Sequence, residues 1–298
     1  MRFDGGHKRD WFLSDVLARH VEWVPVCPEK EIGLPTPRDN MVLEQRGPSI
    51  RMIVEKSGRD LTDEMNEFAE HRVRQLEALN LCGYVLKKNS PSCGVFGVRV
   101  RHASGLPARP GAGLFARELL TRLPGLPIEE EGRLADGRLR DAFVERIFAQ
   151  RRLNDVFERD WRADDVVGFH SAHELALRAR SEELSDRLGR VVAEVDTTTR
   201  PAFEAGYRRL FSEAMAFVPP AEAHVNVLLY MTGVFKRSLD NRSRSKLLRT
   251  IEEYRLGDVA RSAPISLICA AAREMNDAYL LSQTYLAPAP RELLTFAD

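Results

Sequence analysis

The chain has 298 residues, of which 44% are hydrophobic and 30% are charged, and its 44 basic side chains equal its 44 acidic ones. This composition is that of a globular protein in water, and neutrality excludes a histone-like polycation while allowing a local basic patch. No run is apolar enough to span a membrane, no secretory leader is predicted, and the four scattered cysteines indicate a reducing, cytoplasmic setting.

Strand and helix patterns alternate in residues 1–135, which we predict to form an α/β domain with a parallel-type sheet and flanking helices. Short apolar, β-branched and aromatic runs predict strands at 20–27 (HVEWVPVC), 49–54 (SIRMIV) and 82–88 (CGYVLKK). Apolar residues at helical spacing predict helices at 61–79 and 113–123. In parallel sheets the functional residues follow the carboxyl ends of strands, where Cys27 and Cys93 are predicted to lie.

Residues 136–298 have almost continuous helical periodicity, which predicts an all-α second domain. The preceding link, 123–138, is rich in Pro, Gly and acidic residues and is typical of a domain boundary. The amphipathic runs predict helices at 141–160, 164–180, 183–196, 199–216, 221–239, 242–256, 264–274 and 275–284.

Cys93 lies in the turn-rich stretch KKNSPSCGVFG (87–97), where Ser90 and Ser92 place hydroxyls next to the thiol. Exposed turns of this composition often carry function, although an ordinary turn with an incidental cysteine has the same local sequence. The site would take its chemistry from the thiol and the two hydroxyls.

Cys27 lies in VPVCPEKEIGLPTPR (24–38), where the following proline stops the predicted strand and Glu29 comes two residues later. If this thiol and that of Cys93 meet at one sheet edge, they indicate a metal, a cluster or a redox pair. Cys82 begins a predicted strand, so we expect it at the opposite end as a small buried hydrophobe.

Three further features are more ambiguous. The opening loop contains Asp4, His7 and Lys8 and would suit contact with a charged ligand, but it also resembles a frayed terminus. His170 and His173 lie three residues apart on a predicted helix, and a packed pair is more typical of this pattern than a metal site. The segment FKRSLDNRSRSKLLR (235–249) is rich in basic residues, which predicts either a solvated basic face or an RNA-binding surface. Its basic residues are Lys236, Arg237, Arg242, Arg244, Lys246 and Arg249.

Three stretches resemble the thiouracil desulfidase family in order and spacing, namely RFDGGHKR (2–9), VPVCPEKEIGLPTPR (24–38) and LKKNSPSCG (86–94). The C-terminal half, with FHSAHELAL, HVNVLLYMTGVFKRSL and YLAPAPREL, resembles the YbgA-like helical domain often fused to it. This fusion is similar to bacterial desulfidases that convert 4-thiouridine in transfer RNA to uridine.

The resemblance implies a 4Fe–4S cluster held by three cysteines, with one iron open to the sulfur of the substrate. Cys27 and Cys93 match two of the family's ligands, and the third is expected upstream of Met1. The side chains expected to carry the acid–base steps are Glu29 and Ser90. The side chains expected to bind or position the substrate are Asp4, Lys8 and Ser92.

The expected activity is the non-redox, hydrolytic removal of sulfur from thiolated uracil, with 4-thiouridine in tRNA giving uridine and sulfide. The free base or nucleoside is the other possible substrate. RNA phosphates would contact the basic segment through Lys236, Arg237, Arg242, Arg244 and Lys246. A non-catalytic RNA-binding or assembly module with an incomplete cluster site is the first alternative, and a zinc site on Cys27, Cys93 and His7 is the second.

Overall fold

The computed structural model describes residues 9–102, 104, 110–235 and 239–296. The chain divides into two compact units, Met1–Ala135 and Asp136–Asp298. The first combines small sheets with flanking helices and the second is mostly helical, so the predicted fold class is confirmed. No helix within the described ranges is long and apolar enough to cross a membrane.

The first unit opens with one π-helical turn, Phe12–Val16, followed by a 3₁₀ turn, Leu17–Arg19. The regular elements that follow are, in chain order, α1 (Pro28–Glu31), β1 (Met41–Arg46), β2 (Ser49–Val54), α2 (Thr62–Glu77), β3 (Tyr84–Leu86), β4 (Val100–His102), α3 (Leu114–Arg122) and β5 (Ile128–Glu130).

The strands form two small sheets. β1 lies between β2, which is antiparallel to it, and β4, which is parallel to it. A two-residue loop joins β1 to β2, and Gly47 in it has φ of 58°, as hairpin turns that match the strand twist require. β3 and β5 form the second sheet and are parallel.

The predicted strand at 20–27 is wrong, because this segment has no strand partner in the described part of the chain and therefore makes no ladder. Trp23 and Val24 consequently remain 45% and 39% exposed. The strand at 49–54 is correct, but its neighbour is the hairpin partner β1, which the pattern did not predict. β4 and β5 were also not predicted.

Helix α2 covers the sheet that contains β2. Its inward positions Met65, Ala69, Val73 and Leu76 follow a spacing of three to four residues and are buried. Asp60 accepts a hydrogen bond from the Thr62 amide at 2.9 Å, which satisfies one of the free donors at the start of the helix.

In the second unit the described helices follow the predicted ones closely. They are α4 (Gly137–Phe157), α5 (Ala163–Arg180), α6 (Glu182–Ala193), α7 (Arg200–Ala216), α8 (Ala221–Val234), α9 (Asn241–Arg255), α10 (Ser262–Glu274) and α11 (Ala278–Ser282), before a 3₁₀ turn at Arg291–Leu293. Aromatic rings fill the core, and Tyr207 stacks against Phe203 and Phe211 with ring centroids 5.9 and 6.1 Å away.

Candidate active site

Cys27 is held at the start of the short helix α1 rather than at the end of a strand. Pro28 occupies the first helical position, where its missing N–H is not needed and its fixed φ suits the helix. The Cys27 carbonyl accepts hydrogen bonds from the amides of Lys30 and Glu31, and the Cys27 amide donates to Glu31 Oε1 at 2.9 Å. The backbone around this half-buried thiol is therefore fixed by local hydrogen bonds.

The loop that carries Cys93 is folded around the hydroxyl of Ser90. Ser90 Oγ accepts hydrogen bonds from the amides of Ser92 at 3.3 Å and Cys93 at 3.2 Å. The Gly94 amide donates to the Ser90 carbonyl at 2.8 Å, which closes the turn. Since these bonds surround the thiol-bearing residue, the position of Cys93 depends on the serines of the SPSCG motif.

The start of α3 lies against the same loop. The amides of Leu114 and Ala116 donate to the carbonyls of Pro91 and Ser92. Gly113 permits this approach, because a Cβ atom there would lie 2.3 Å from the Ser92 carbonyl oxygen. The loop thus satisfies free donors at the helix start, and the helix in turn fixes the loop.

Glu29 joins the two cysteine-bearing segments. It is 7% exposed, and its Oε1 accepts hydrogen bonds from Ser92 Oγ and, at 3.3 Å, from Ser90 Oγ. Its Oε2 lies 3.7 Å from Cys27 Sγ and 3.7 Å from Arg38 Nη2. The carboxylate is therefore fixed through one oxygen and presents the other between a thiol and a guanidinium.

The Cys93 thiol is buried, with the Glu29 carboxylate and the Cys27 thiol nearby. Burial raises its pKa well above the usual range, and the nearby Glu29 carboxylate and Cys27 thiol raise it further. Hydrogen bonds from Ser92 and Ser90 oppose this increase. Thiolate would consequently form here only together with a nearby positive charge, such as a bound metal ion.

Two cavities meet at Cys93. One has a volume of 460 Å³ and is lined by residues that include Cys27, Glu29, Arg38, Ser90 and Cys93. The other has a volume of 560 Å³, and residues 20–27 line it through Trp23 and Val26, while β3 lines it through Tyr84, Val85 and Leu86. Cys93 therefore lies where a group bound in either cavity could contact its sulfur.

The thiols of Cys27 and Cys93 suit iron in chemical type, since thiolates are the usual ligands of iron–sulfur clusters. In the described ranges, however, no group of three or more His, Cys, Asp or Glu side chains is arranged to hold a metal ion. The residues present thus supply two of the three thiols that the resemblance implies.

The structure brings together Cys27, Glu29, Ser90, Ser92 and Cys93. Cys82 lies apart from both cavities, but it is half-buried and precedes β3 instead of beginning it. Asp4, His7 and Lys8 lie outside the described residues.

Sequence reasoning missed two polar side chains near the thiols. Arg38 lines the smaller cavity, and its place in the quoted GLPTPR stretch was the available signal. Glu130 on β5 is fully buried and accepts hydrogen bonds from the amides of Val95, at 2.7 Å, and Phe96, at 3.1 Å. It lies in a run of three glutamates within the stretch interpreted as a link, so no signal distinguished it.

In the second unit, His170 and His173 are packed side chains, as predicted. His173 Nδ1 bonds to the Phe169 carbonyl at 2.7 Å, and His170 Nδ1 lies 3.2 Å from the Tyr207 hydroxyl. Burial lowers the pKa of His173 to about 3. This histidine is therefore neutral in the folded protein near pH 7.

A buried ionic cluster in the second unit has no counterpart in the sequence prediction. Glu145 is bound by Arg180 and Arg261, and Arg261 also contacts His224 at 3.0 Å. Burial opposes ionisation of Glu145, but the two guanidinium groups outweigh it and lower its pKa to about 2. The cluster joins helices α4, α5 and α8.

Residues 241–249 of the basic segment lie in α9. Asp240 accepts hydrogen bonds from the amides of Arg242, at 2.8 Å, and Ser243, at 3.0 Å, as the N-cap. Arg242 and Lys246 are exposed, whereas Arg244 is half-buried. Lys236 and Arg237 lie outside the described residues.

Comparison with known proteins matches both units. The family model "2-thiouracil desulfurase" covers residues 1–131, and the model "Protein of unknown function (DUF1722)" covers residues 175–290. The uncharacterized protein YbgA of Escherichia coli (strain K12) is 27% identical over 155 residues, which are 52% of this chain and 92% of that protein.

Among solved structures, the 4Fe-4S-dependent thiouracil desulfidase TudS is 30% identical to this chain. The match covers 45% of this chain and 83% of that one, with a TM-score of 0.34. The chain therefore joins a domain of the 2-thiouracil desulfurase family to a C-terminal DUF1722 domain of the kind found in YbgA.

Proposed function

We propose that this chain is a cytoplasmic desulfidase that removes sulfur from thiolated uracil, with 4-thiouridine in tRNA as the substrate and uridine and sulfide as products. The observation that supports this most directly is the buried Glu29 carboxylate, with the thiols of Cys27 and Cys93 on one cavity beside it. Membership of residues 1–131 in the 2-thiouracil desulfurase family supports the same reaction class.

A 4Fe–4S cluster is the cofactor we propose, with Cys27 and Cys93 as two of its ligands. When bound, the cluster would supply an open iron as a soft Lewis acid that attracts the thiocarbonyl sulfur. The position of Cys27 and Cys93 on the same cavity supports this assignment.

The protein's own residues account for the proton transfers. Ser90 and Ser92 bind one oxygen of Glu29, so the other oxygen can accept a proton from an attacking water. The water oxygen bonds to the ring carbon, the carbon–sulfur bond breaks, and the sulfur leaves with the water's two protons as hydrogen sulfide. No electrons are transferred, so this step needs neither an oxidant nor a reductant.

The tRNA part of the proposal depends on α9. Arg242, Lys246 and Arg249 recur at helical spacing and lie on one exposed face. Within the described part of the chain, no ion pair neutralises Arg242, Arg244 or Lys246. Such a surface would bind the phosphate backbone with little dependence on base sequence.

The test is anaerobic reconstitution with iron and sulfide, followed by incubation with 4-thiouridine tRNA, 4-thiouridine and 2-thiouracil. We expect loss of the thiocarbonyl absorbance, and we expect Cys27→Ala and Cys93→Ala to abolish it together with iron binding. If iron-loaded protein leaves all three substrates intact, the enzyme proposal is wrong and the non-catalytic RNA-binding module becomes preferable. Stoichiometric zinc without iron would instead support a zinc site on Cys27, Cys93 and His7.

A further inference from the structure

Arg38 is a buried cation at the cavity that Cys27 and Cys93 line. Its side chain is 8% exposed, and its Nε is buried without a hydrogen-bond partner in the described structure. Its Nη2 lies 3.7 Å from Glu29 Oε2, which is beyond ordinary hydrogen-bond distance. A guanidinium has five donors in a fixed plane, and leaving such donors unsatisfied in a buried site is costly. The arrangement therefore suits a ligand that accepts hydrogen bonds.

Two different groups lie at the same distance from Glu29 Oε2. It is 3.7 Å from Cys27 Sγ and 3.7 Å from Arg38 Nη2. As a carboxylate oxygen it accepts hydrogen bonds, whereas the Arg38 guanidinium only donates them. The cavity thus offers a thiol, an acceptor near it and a donor near that acceptor.

The ring edge of thiouracil has the complementary order. In both 2-thiouracil and 4-thiouracil, N3–H lies between one thiocarbonyl and one carbonyl. A ring oriented with its sulfur towards the thiols would place N3–H near Glu29 Oε2 and the remaining carbonyl near Arg38. We propose that Arg38 determines specificity by donating to this carbonyl, so that the ring binds with its sulfur towards Cys27 and Cys93. This inference rests on the proposed function, since it assigns the orientation of the same substrate.

Two substrates that differ in a single atom test this proposal. 2,4-Dithiouracil has a second sulfur where 2-thiouracil has its carbonyl oxygen, and sulfur is a weak hydrogen-bond acceptor. In the wild-type protein, kcat/KM should therefore be about tenfold or more higher for 2-thiouracil than for 2,4-dithiouracil. A factor of this size corresponds to the loss of one hydrogen bond to a charged group. Arg38→Met should remove most of this preference, and Arg38→Lys should restore part of it because a charged donor remains.

A binding measurement tests the same contact without turnover. Uracil retains N3–H and two carbonyls, so equilibrium dialysis of the full chain against uracil should give Kd values about tenfold higher for Arg38→Met. N3-methyluracil, which cannot donate to Glu29, should bind weakly to both proteins. Arg117→Met is the matched control, because its Nε is also buried without a partner while the residue lies outside this cavity.

Three results would overturn the inference. Equal loss of activity on 2-thiouracil and 2,4-dithiouracil would mean that Arg38 does not sense the carbonyl. Lower iron content or an altered visible spectrum in Arg38→Met would assign the residue to the cofactor. Unchanged uracil binding in a folded Arg38→Met, verified by circular dichroism, would exclude contact with the ring. Inactive iron-loaded protein that still binds uracil through Arg38 would instead refute the proposed function and leave this contact intact.

Discussion

Ser92 Oγ donates a hydrogen bond to Glu29 Oε1, and this bond joins two cysteine-bearing segments that lie 63 residues apart in the sequence. Ser90 Oγ donates to the same oxygen at 3.3 Å. Glu29 is therefore both the candidate acid–base group and the structural link that brings Cys27 towards Cys93. Substitutions at these positions should separate the two roles, because the amide of Gln keeps the link and changes only the charge.

Glu29→Gln should lower desulfidation by about 100-fold or more, since proton transfer by a positioned group contributes about that factor. Glutamine retains an oxygen that can accept from Ser92, so iron content and thermal stability should stay near wild type. Single-turnover loss of thiocarbonyl absorbance in reconstituted protein measures the effect. Glu22→Gln is the control, because Glu22 is exposed and lines neither cavity. Retention of more than half the wild-type rate would remove Glu29 from the acid–base role.

Gly113→Ala should destabilise the first unit by about 1–3 kcal/mol and impair iron binding. The added Cβ would lie 2.3 Å from the Ser92 carbonyl oxygen and 2.8 Å from the Cys93 amide nitrogen, so the loop would have to move. Urea unfolding followed by circular dichroism and iron quantification after reconstitution measure the two effects.

Gly168→Ala is the matched control for this substitution. Gly168 lies inside α5, and a Cβ there would meet nothing within 4 Å. Its replacement should be neutral or stabilising by up to about 1 kcal/mol, because alanine favours the helix. Iron binding that is equal in the two variants would show that the contact between α3 and the Cys93 loop does not position the thiol.

The second unit should lose stability as the pH falls below about 6.5. Burial lowers the pKa of His173 to about 3, so the folded state resists protonation that the unfolded chain accepts from its ordinary value downward. The contribution of His173 to the free energy of unfolding is thus fully present above pH 6.5 and decreases as the pH falls towards 3. Glu145 adds a further loss towards pH 2, because its pKa is also depressed in the folded protein.

Thermal unfolding between pH 7.5 and 4 tests this linkage. His173→Phe should flatten the dependence in that interval by as much as about 1.4 kcal/mol per pH unit, which is the limit for one titrating group. His71→Gln should not, because His71 is exposed on α2. A pH dependence that stays the same in His173→Phe and wild type would show that other groups dominate the acid response.

The success and failure of sequence prediction have physical causes here. Helices of the second unit were predictable because each buries an apolar face with a regular period. β1 was missed since its second half, Glu44 to Arg46, is polar and only partly buried, although β1 is the central strand of its sheet. β5 was missed because Glu129 and Glu130 are buried glutamates, which composition assigns to a link.

The candidate site was also predicted only in part. The cysteine motifs identified Cys27, Cys93, Glu29 and the serines, because turn residues and thiols have recognisable local chemistry. The mutual placement of these groups depends on bonds across 63 residues, which no local pattern encodes. Arg38 matters only through its burial next to Glu29, so its role became visible with the fold.

Arg242→Glu combined with Lys246→Glu should weaken tRNA binding by about tenfold or more and reduce its salt dependence, because each lost phosphate contact lowers the number of released counterions. Both residues are exposed on α9, so the fold should be unaffected. Arg273→Glu is the matched control, an exposed arginine on α10. Filter binding at several salt concentrations measures the slope. Desulfidation of the free nucleoside should remain at the wild-type rate, since α9 contacts only the RNA backbone in this proposal, and equal tRNA affinity in all three proteins would refute the assignment of α9 to RNA.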